Sequence, residues 1–191
     1  MDPINIIAGL NLIATFGANF GGAKQGFKSQ ITEVKQKPKS YLQTVPVYFS
    51  IVTLLLFILG LFQIGTLNYI KEYQSFRIAG LIVYIIFSWT QVLSYKTLGD
   101  YYSQDIMIKK NHQLVRKGLY RVIRHPQYLS QIFMDLSAGV LTLSFLLIPV
   151  ALIQIPLLVL RASFEEKVLS SHFKSEFENY KSKTGFFIPF L

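Results

Sequence analysis

No cysteine occurs anywhere in the 191 residues, which excludes disulfides, thiolate metal ligands and cysteine nucleophiles. Histidine is almost as scarce: His112, His125 and His172 are the only three, so no metal site is expected. Charge is thin at 15% of residues, against roughly 25% in soluble proteins. Acidic residues are the scarcer sign, 10 against 19 lysines and arginines, leaving a net charge of +9. What fills the chain instead is apolar: 51% hydrophobic residues and a mean hydropathy of +0.39. These residues come in uninterrupted runs, which marks an integral membrane protein. In a soluble chain the cation excess would suggest nucleic acid. Here the cations fall between the apolar runs, as cytoplasmic loops require, so membrane lipid is the expected neighbour and nucleic acid is not. The start, with Asp2 where a signal would carry a basic region, does not read as a cleaved leader.

Along the chain, 21 uncharged residues separate Asp2 from Lys24, enough for one spanning helix at about 20 residues per span. That segment carries Asn5, Asn11 and Asn19 and the close-packing spacing Gly17-x-x-x-Gly21. Lys24, Lys28, Lys35, Lys37 and Lys39, against Glu33 alone, predict a solvated basic loop over 24–39. A second span follows with its apolar core at Val45–Leu67, then a short outer link holding Lys71, Glu72 and Arg77, and a third span at Ile78–Tyr95. The segment Lys96–Arg124 holds seven cations against Asp100 and Asp105 and belongs on the cytoplasmic side by the same rule. From His125 to Leu160 a single helix would be ~54 Å long, too long for a core of about 30 Å, so two helices joined near Ser144–Phe145 are predicted. Asp135 falls inside the first of them, and an intramembrane acid is a functional candidate, although near the cytosolic end it can also reach water. Beyond Arg161 the apolar residues recur at three- and four-residue steps, predicting an amphipathic helix that ends before Gly185. The expected fold is an all-α polytopic membrane bundle of about five transmembrane helices with an outside N-terminus, a cytosolic-face active site and a C-terminal amphipathic helix.

Two polar islands then share one face. In Arg124-His125-Pro126-Gln127-Tyr128, Pro126 suits the first turn of a helix, and the free amides there, beside Arg121 and Arg124, favour an anion. Taken alone, the same residues read equally as a basic collar at a helix end. In Arg161-x-x-x-Glu165-Glu166, Arg161 and Glu165 are i, i+4 neighbours; an ordinary surface pair would look the same.

The order of these blocks is more specific than any one of them. His112-x-Leu114-Val115-x-x-Gly118-x-Tyr120, then Arg124-His125-Pro126-x-Tyr128, then Arg161-x-x-x-Glu165-Glu166 resembles the isoprenylcysteine carboxyl methyltransferase family of membrane enzymes. The lead-in Leu98-Gly99-Asp100-Tyr101-Tyr102-Ser103 and the tail Phe173-x-x-Glu176-Phe177-x-x-Tyr180 with Ile188-Pro189 look like that family too. The resemblance covers roughly residues 78–190. It implies a catalytic core over 78–191, whereas residues 1–77, the N-terminal helices and basic loop, carry no signature. Tyr102, Ser130 and Phe177 stand where the family more often has Trp, Gly and Tyr.

The resemblance implies S-adenosylmethionine as cofactor, with S-adenosylhomocysteine as product. His112, Gln113, Leu114 and Val115 would line the adenosine, Tyr120, His125, Pro126, Gln127 and Tyr128 would close around it, and Glu165 would bind its polar end. Arg161 would face the acceptor as the catalytic group, with Glu166 also on the substrate side. The acceptor expected is lipophilic and prenylcysteine-like, with an ionised carboxylate that needs alignment rather than a general base. Three other readings stay open: a phospholipid-type N-methyltransferase, which would need a base such as Glu166 or His125, an NADPH-dependent membrane reductase lacking a Gly-x-Gly-x-x-Gly fingerprint, and a non-catalytic scaffold whose cations meet anionic headgroups.

Overall fold

A computed structural model describes residues 2–29 and 34–189. Six helices form: α1 (Pro3–Ser29), α2 (Val45–Leu61), α3 (Gln74–Leu98), α4 (Pro126–Thr142), α5 (Leu147–Phe173) and α6 (Ser175–Lys181). Among the described residues, three helical segments are long and apolar enough to cross a membrane, Tyr41–Leu61, Lys71–Tyr101 and Leu147–Phe173. Side chains such as Ile13, Leu55, Phe76 and Ile82 stand exposed on the outer faces of α1–α3, as lipid contact requires.

Lipid tails are as apolar as leucine, so helix association in a membrane rests on close packing and polar contacts. Both are visible. α3 packs most extensively on α4 and also meets α1. A Cβ at Gly80 would stand 2.9 Å from the Leu141 amide nitrogen, so α3 and α4 touch at backbone distance there. Phe57 and Tyr84 fill the adjoining core with ring centroids 5.0 Å apart.

Polar contacts clamp the far end of the bundle. Arg77 donates to the Asp2 carboxylate at 2.6 and 3.1 Å, to Asn5 Oδ1 at 3.0 Å and to the Leu141 carbonyl at 2.8 Å. Asn5 Nδ2 donates to the Leu61 carbonyl at 2.9 Å, and the Tyr69 hydroxyl to that of Thr142 at 3.1 Å. These donors satisfy carbonyls at the C-terminal ends of α2 and α4, which have no partner within their own helices. Arg77 was expected in an exposed outer link. It lies inside α3 and is buried, with its guanidinium donating to Asp2, Asn5 and the Leu141 carbonyl.

Other boundaries also shift. α1 runs through Lys24 and Lys28 to Ser29, so the start of the expected basic loop is helical, while Glu33 lies outside the described residues. Strand β1 (Val34–Gln36) pairs antiparallel with β2 (Ile108–Lys109), joining the two cation-rich segments at one end of the bundle. α4 and α5 separate where expected. Leu143 takes a left-handed conformation, and Ser144 Oγ accepts from the Leu147 amide at 3.1 Å to cap α5. The polar segment after Arg161 continues α5 to Phe173, breaks at Lys174 and resumes as α6.

Candidate active site

The start of α4 organises the site. Pro126 sits in the first turn, where its missing N–H costs nothing. Just before it, the Arg124 and His125 amides donate to the Gly185 and Phe186 carbonyls at 2.8 and 3.3 Å. The segment after α6 is thereby strapped across the helix start, with Phe186 against the His125 ring at 4.8 Å.

The paired glutamates of α5 diverge from here. Glu166 Oε1 accepts from Arg124 Nε at 2.6 Å and lies 3.1 Å from His125 Nε2, and Lys181 Nζ stands 3.6 Å from Oε2. Three partners engage its carboxylate, and it lines none of the cavities described below. Glu165 faces the other way. Its Oε2 accepts from the Tyr128 hydroxyl at 2.9 Å, and that oxygen in turn accepts from Arg161 Nε at 3.2 Å. Arg161 is buried, and it also donates through Nη1 to the Leu42 and Gln43 carbonyls at 2.5 and 3.0 Å and through Nη2 to that of Gln104. Of its five N–H groups, one on Nη2 has no partner among the described residues.

Two cavities adjoin along this chain of contacts. The first, about 80 Å³, is lined by His112, Gln113, Leu114 and Val115 together with Tyr120, His125, Gln127 and Glu165. The second, about 160 Å³, is lined by Tyr128 and Arg161 together with Tyr102, Gln104 and, from the N-terminal segment, Pro46 and Ser50. Ser103 and Gln127 border both. Eight of the ten residues assigned to the cofactor therefore meet around one space. Pro126 does not line it, and Tyr128 lies across the dividing wall beside Arg161.

The loop 99–109 supplies lining that sequence patterns missed, including Tyr101, Asp105 and Ile106. Tyr101 stacks on His112 with centroids 5.7 Å apart. Lys109 folds this loop: its ammonium donates to the Asp100 and Tyr102 carbonyls at 2.5 and 2.8 Å, and burial lowers its pKa. Expected among the cations of a polar cytoplasmic-side segment, it is buried. Burial, with the charges of Lys109 and His172, depresses His112 to about 4, so its imidazole is neutral at physiological pH. Two polar atoms on the first cavity's lining residues, the Tyr120 hydroxyl and Gln127 Oε1, are buried without a hydrogen bond among the described residues.

Fold and cavities together define an integral membrane helical bundle with two adjoining cavities. Residues 80–171 match the model of the isoprenylcysteine carboxyl methyltransferase (ICMT) family, so the resemblance read from the motifs is borne out. The protein-S-isoprenylcysteine O-methyltransferase of Saccharomyces cerevisiae is 33% identical over 122 residues, covering 60% of this chain and 49% of that protein. A probable protein-S-isoprenylcysteine O-methyltransferase of Oryza sativa subsp. japonica is 28% identical over 129 residues, 64% of this chain and 65% of the relative. The chain thus spans about half the length of the yeast relative. A solved structure of the eukaryotic intramembrane Ras methyltransferase ICMT shares the fold, with a TM-score of 0.64 at 22% identity, covering 100% of this chain and 69% of that one. The fold likeness includes residues 1–77, where no motif was legible.

Proposed function

We propose that the chain is an integral membrane methyltransferase that moves a methyl group from S-adenosylmethionine to the carboxylate of a lipophilic, prenylcysteine-like acceptor. One observation carries the reading: a polar, aromatic cavity and a cavity holding Arg161 meet at a wall shared by Gln127 and Ser103. Two ligands held in cavities that meet at Ser103 and Gln127 would present their reacting ends to each other, as direct transfer requires.

The first cavity suits the methyl donor. The Tyr120 hydroxyl and Gln127 Oε1 offer a spare donor and a spare acceptor. Neutral His112 and the ring of Tyr101 offer flat stacking surfaces to a base. Glu165, hydrogen-bonded to Tyr128 and with His125 Nδ1 4.0 Å from the same oxygen, keeps acceptor capacity for an ammonium or hydroxyls. Bound there, S-adenosylmethionine would supply a sulfonium methyl group to the acceptor's carboxylate oxygen and be left as the neutral thioether. No proton has to move.

Arg161 faces the acceptor with its one remaining N–H, positioned by Tyr128 and three carbonyls. Glu166 serves the site through Arg124 and His125 rather than by touching substrate. The amine-methylating alternative would need a base, and the two candidates, His125 and Glu166, are engaged with each other at 3.1 Å. We read α1 and α4 as spanning the membrane with the three apolar helices, and the cavities as opening on the cytoplasmic face, where the cations of 34–39 and 96–124 lie.

The test is direct. Calorimetry in nanodiscs should show micromolar binding of S-adenosylmethionine and S-adenosylhomocysteine, and methyl-labelled donor should label a prenylcysteine carboxylate. Binding of NADPH with no binding of either sulfur compound would overturn the reading.

A further inference from the structure

A third cavity, about 310 Å³, lies inside the bundle between α1, α2, α3 and α4. Its volume is at the lower end of the range for small-molecule sites. It shares Ser50, Gln91, Tyr95 and Gln131 with the cavity that holds Arg161. A long acceptor with its carboxylate at Arg161 would therefore lead its tail past Gln91 and Gln131 into this space. An isoprenyl chain is hydrocarbon throughout and needs apolar walls, which Phe57, Met134 and Leu54 provide.

The wall also carries a carboxylate. Asp135, 7% exposed, lines the cavity from α4. An acid inside a membrane bundle is costly and calls for a reason. Both Asp135 oxygens accept from Gln131 Nε2 at 2.8 Å, and Gln131 lies on the same helix. The α3–α4 tie is made without the acid, by Gln91 Nε2 donating to Gln131 Oε1 at 2.6 Å. The Thr53 hydroxyl on α2, which also faces the carboxylate, donates to its own helix at the Ser50 carbonyl, 3.1 Å away. Opposite, on α3, the Tyr84 hydroxyl is buried, lines the same cavity and makes no hydrogen bond among the described residues. Asn11 beside it is engaged with Ser88 at 2.8 Å and Trp89 at 3.0 Å.

A carboxylate with acceptor sites beyond those Gln131 uses, and a phenol without a hydrogen bond among the described residues, thus face one largely apolar cavity. A hydroxyl satisfies both, donating to Asp135 and accepting from Tyr84. We propose that this cavity selects acceptors whose lipophilic chain carries a hydroxyl, read by Asp135 and Tyr84, rather than chains that are hydrocarbon to the end. The inference rests on the acceptor reading above and sharpens it.

The test uses S-dodecylcysteine and its analogues ending in a hydroxyl or an ammonium group, with the full chain in nanodiscs. Both equilibrium binding and methylation are measured. The hydroxyl-ended chain should bind and turn over about tenfold or more better than the methyl-ended one, the scale of one hydrogen bond to a charged group. Asp135→Leu should erase or reverse that preference, Tyr84→Phe should reduce it, and Asp135→Asn should keep part of it. Each variant is first checked for native thermal stability, and Tyr84→Phe, which removes one oxygen, carries the test if Asp135→Leu does not fold. Methylation of all three chains without preference, or best with the methyl or ammonium end, overturns the inference and leaves the methyltransferase reading standing. Preferential binding of the hydroxyl-ended chain without any methylation supports the cavity's selectivity and sinks the methyltransferase reading. Neither binding nor methylation of any chain overturns both.

Discussion

At the residue scale the two ends of Arg161-x-x-x-Glu165 behave differently. Removing the guanidinium in Arg161→Ala strands the Leu42, Gln43 and Gln104 carbonyls, and an unsatisfied buried group costs about 1–3 kcal/mol. The variant should therefore lose both turnover and melting temperature. Arg161→Lys should recover part of each, since an ammonium cannot reproduce the fork of donors. Glu165→Gln should weaken S-adenosylmethionine binding by about tenfold while leaving the melting temperature unchanged, because its partner Tyr128 can still donate to an amide oxygen. Calorimetry and thermal unfolding separate the two; an Arg161→Ala chain that melts like the native one would mean the arginine touches substrate alone. His112 gives a pH signature. Its folded value, about 4, lies below the ordinary 6.5, so the unfolded chain binds the extra proton between them. Its contribution is full above pH 6.5 and is lost as pH falls toward about 4. His112→Gln should flatten the melting-temperature profile in that window. Types and order of the site residues were legible in the motifs, but partners were not. Nothing in the string Glu165-Glu166 says that one carboxylate faces a cavity and its neighbour an arginine. Lys109 and Arg77 likewise look like solvated cations until the carbonyls that receive them are placed in space.

At the scale of elements, the helices were legible wherever uncharged runs exceed a membrane's thickness, because in lipid a long apolar segment has no alternative to helix. The α4–α5 break was legible for the same reason of length. The β1–β2 pair and the strap over His125 were not. A two-residue strand has no periodicity to detect, and Gly185 and Phe186 meet Arg124 and His125 only through a contact some 60 residues apart in sequence. The α3–α4 seam offers a sharp check. A Cβ at Gly80 would lie 2.9 Å from the Leu141 nitrogen and 3.2 Å from the Ser137 carbonyl, both backbone atoms that cannot turn aside. Gly80→Ala should therefore destabilise by about 1–3 kcal/mol, the usual cost of overpacking, and Gly80→Val by more. Gly17→Ala, with nothing within 4 Å of the added carbon, should be neutral. Thermal unfolding in detergent measures all three, and equal losses at both glycines would remove close packing as the explanation.

At the scale of the whole molecule, the arrangement works only if both cation-rich segments lie on one side of the membrane. Lys37 and Asp105, one from each segment, form an ion pair at 2.7 Å. α2 leads from that end of the bundle to the exposed Lys71–Tyr73 turn at the other, so an impermeant thiol reagent should distinguish them. The native chain has no cysteine, so each introduced thiol reports alone. Lys37→Cys and Gln113→Cys should label in inside-out vesicles and stay silent in right-side-out ones, by the positive-inside rule. Glu72→Cys should do the reverse. S-adenosylmethionine should shield Gln113→Cys from labelling and leave Lys37→Cys untouched, since only the former borders the first cavity. Labelling of positions 37 and 72 from the same side would mean that α2 does not cross. The bundle would then sit differently in the bilayer, and a lipophilic acceptor could not approach Arg161 from between the helices.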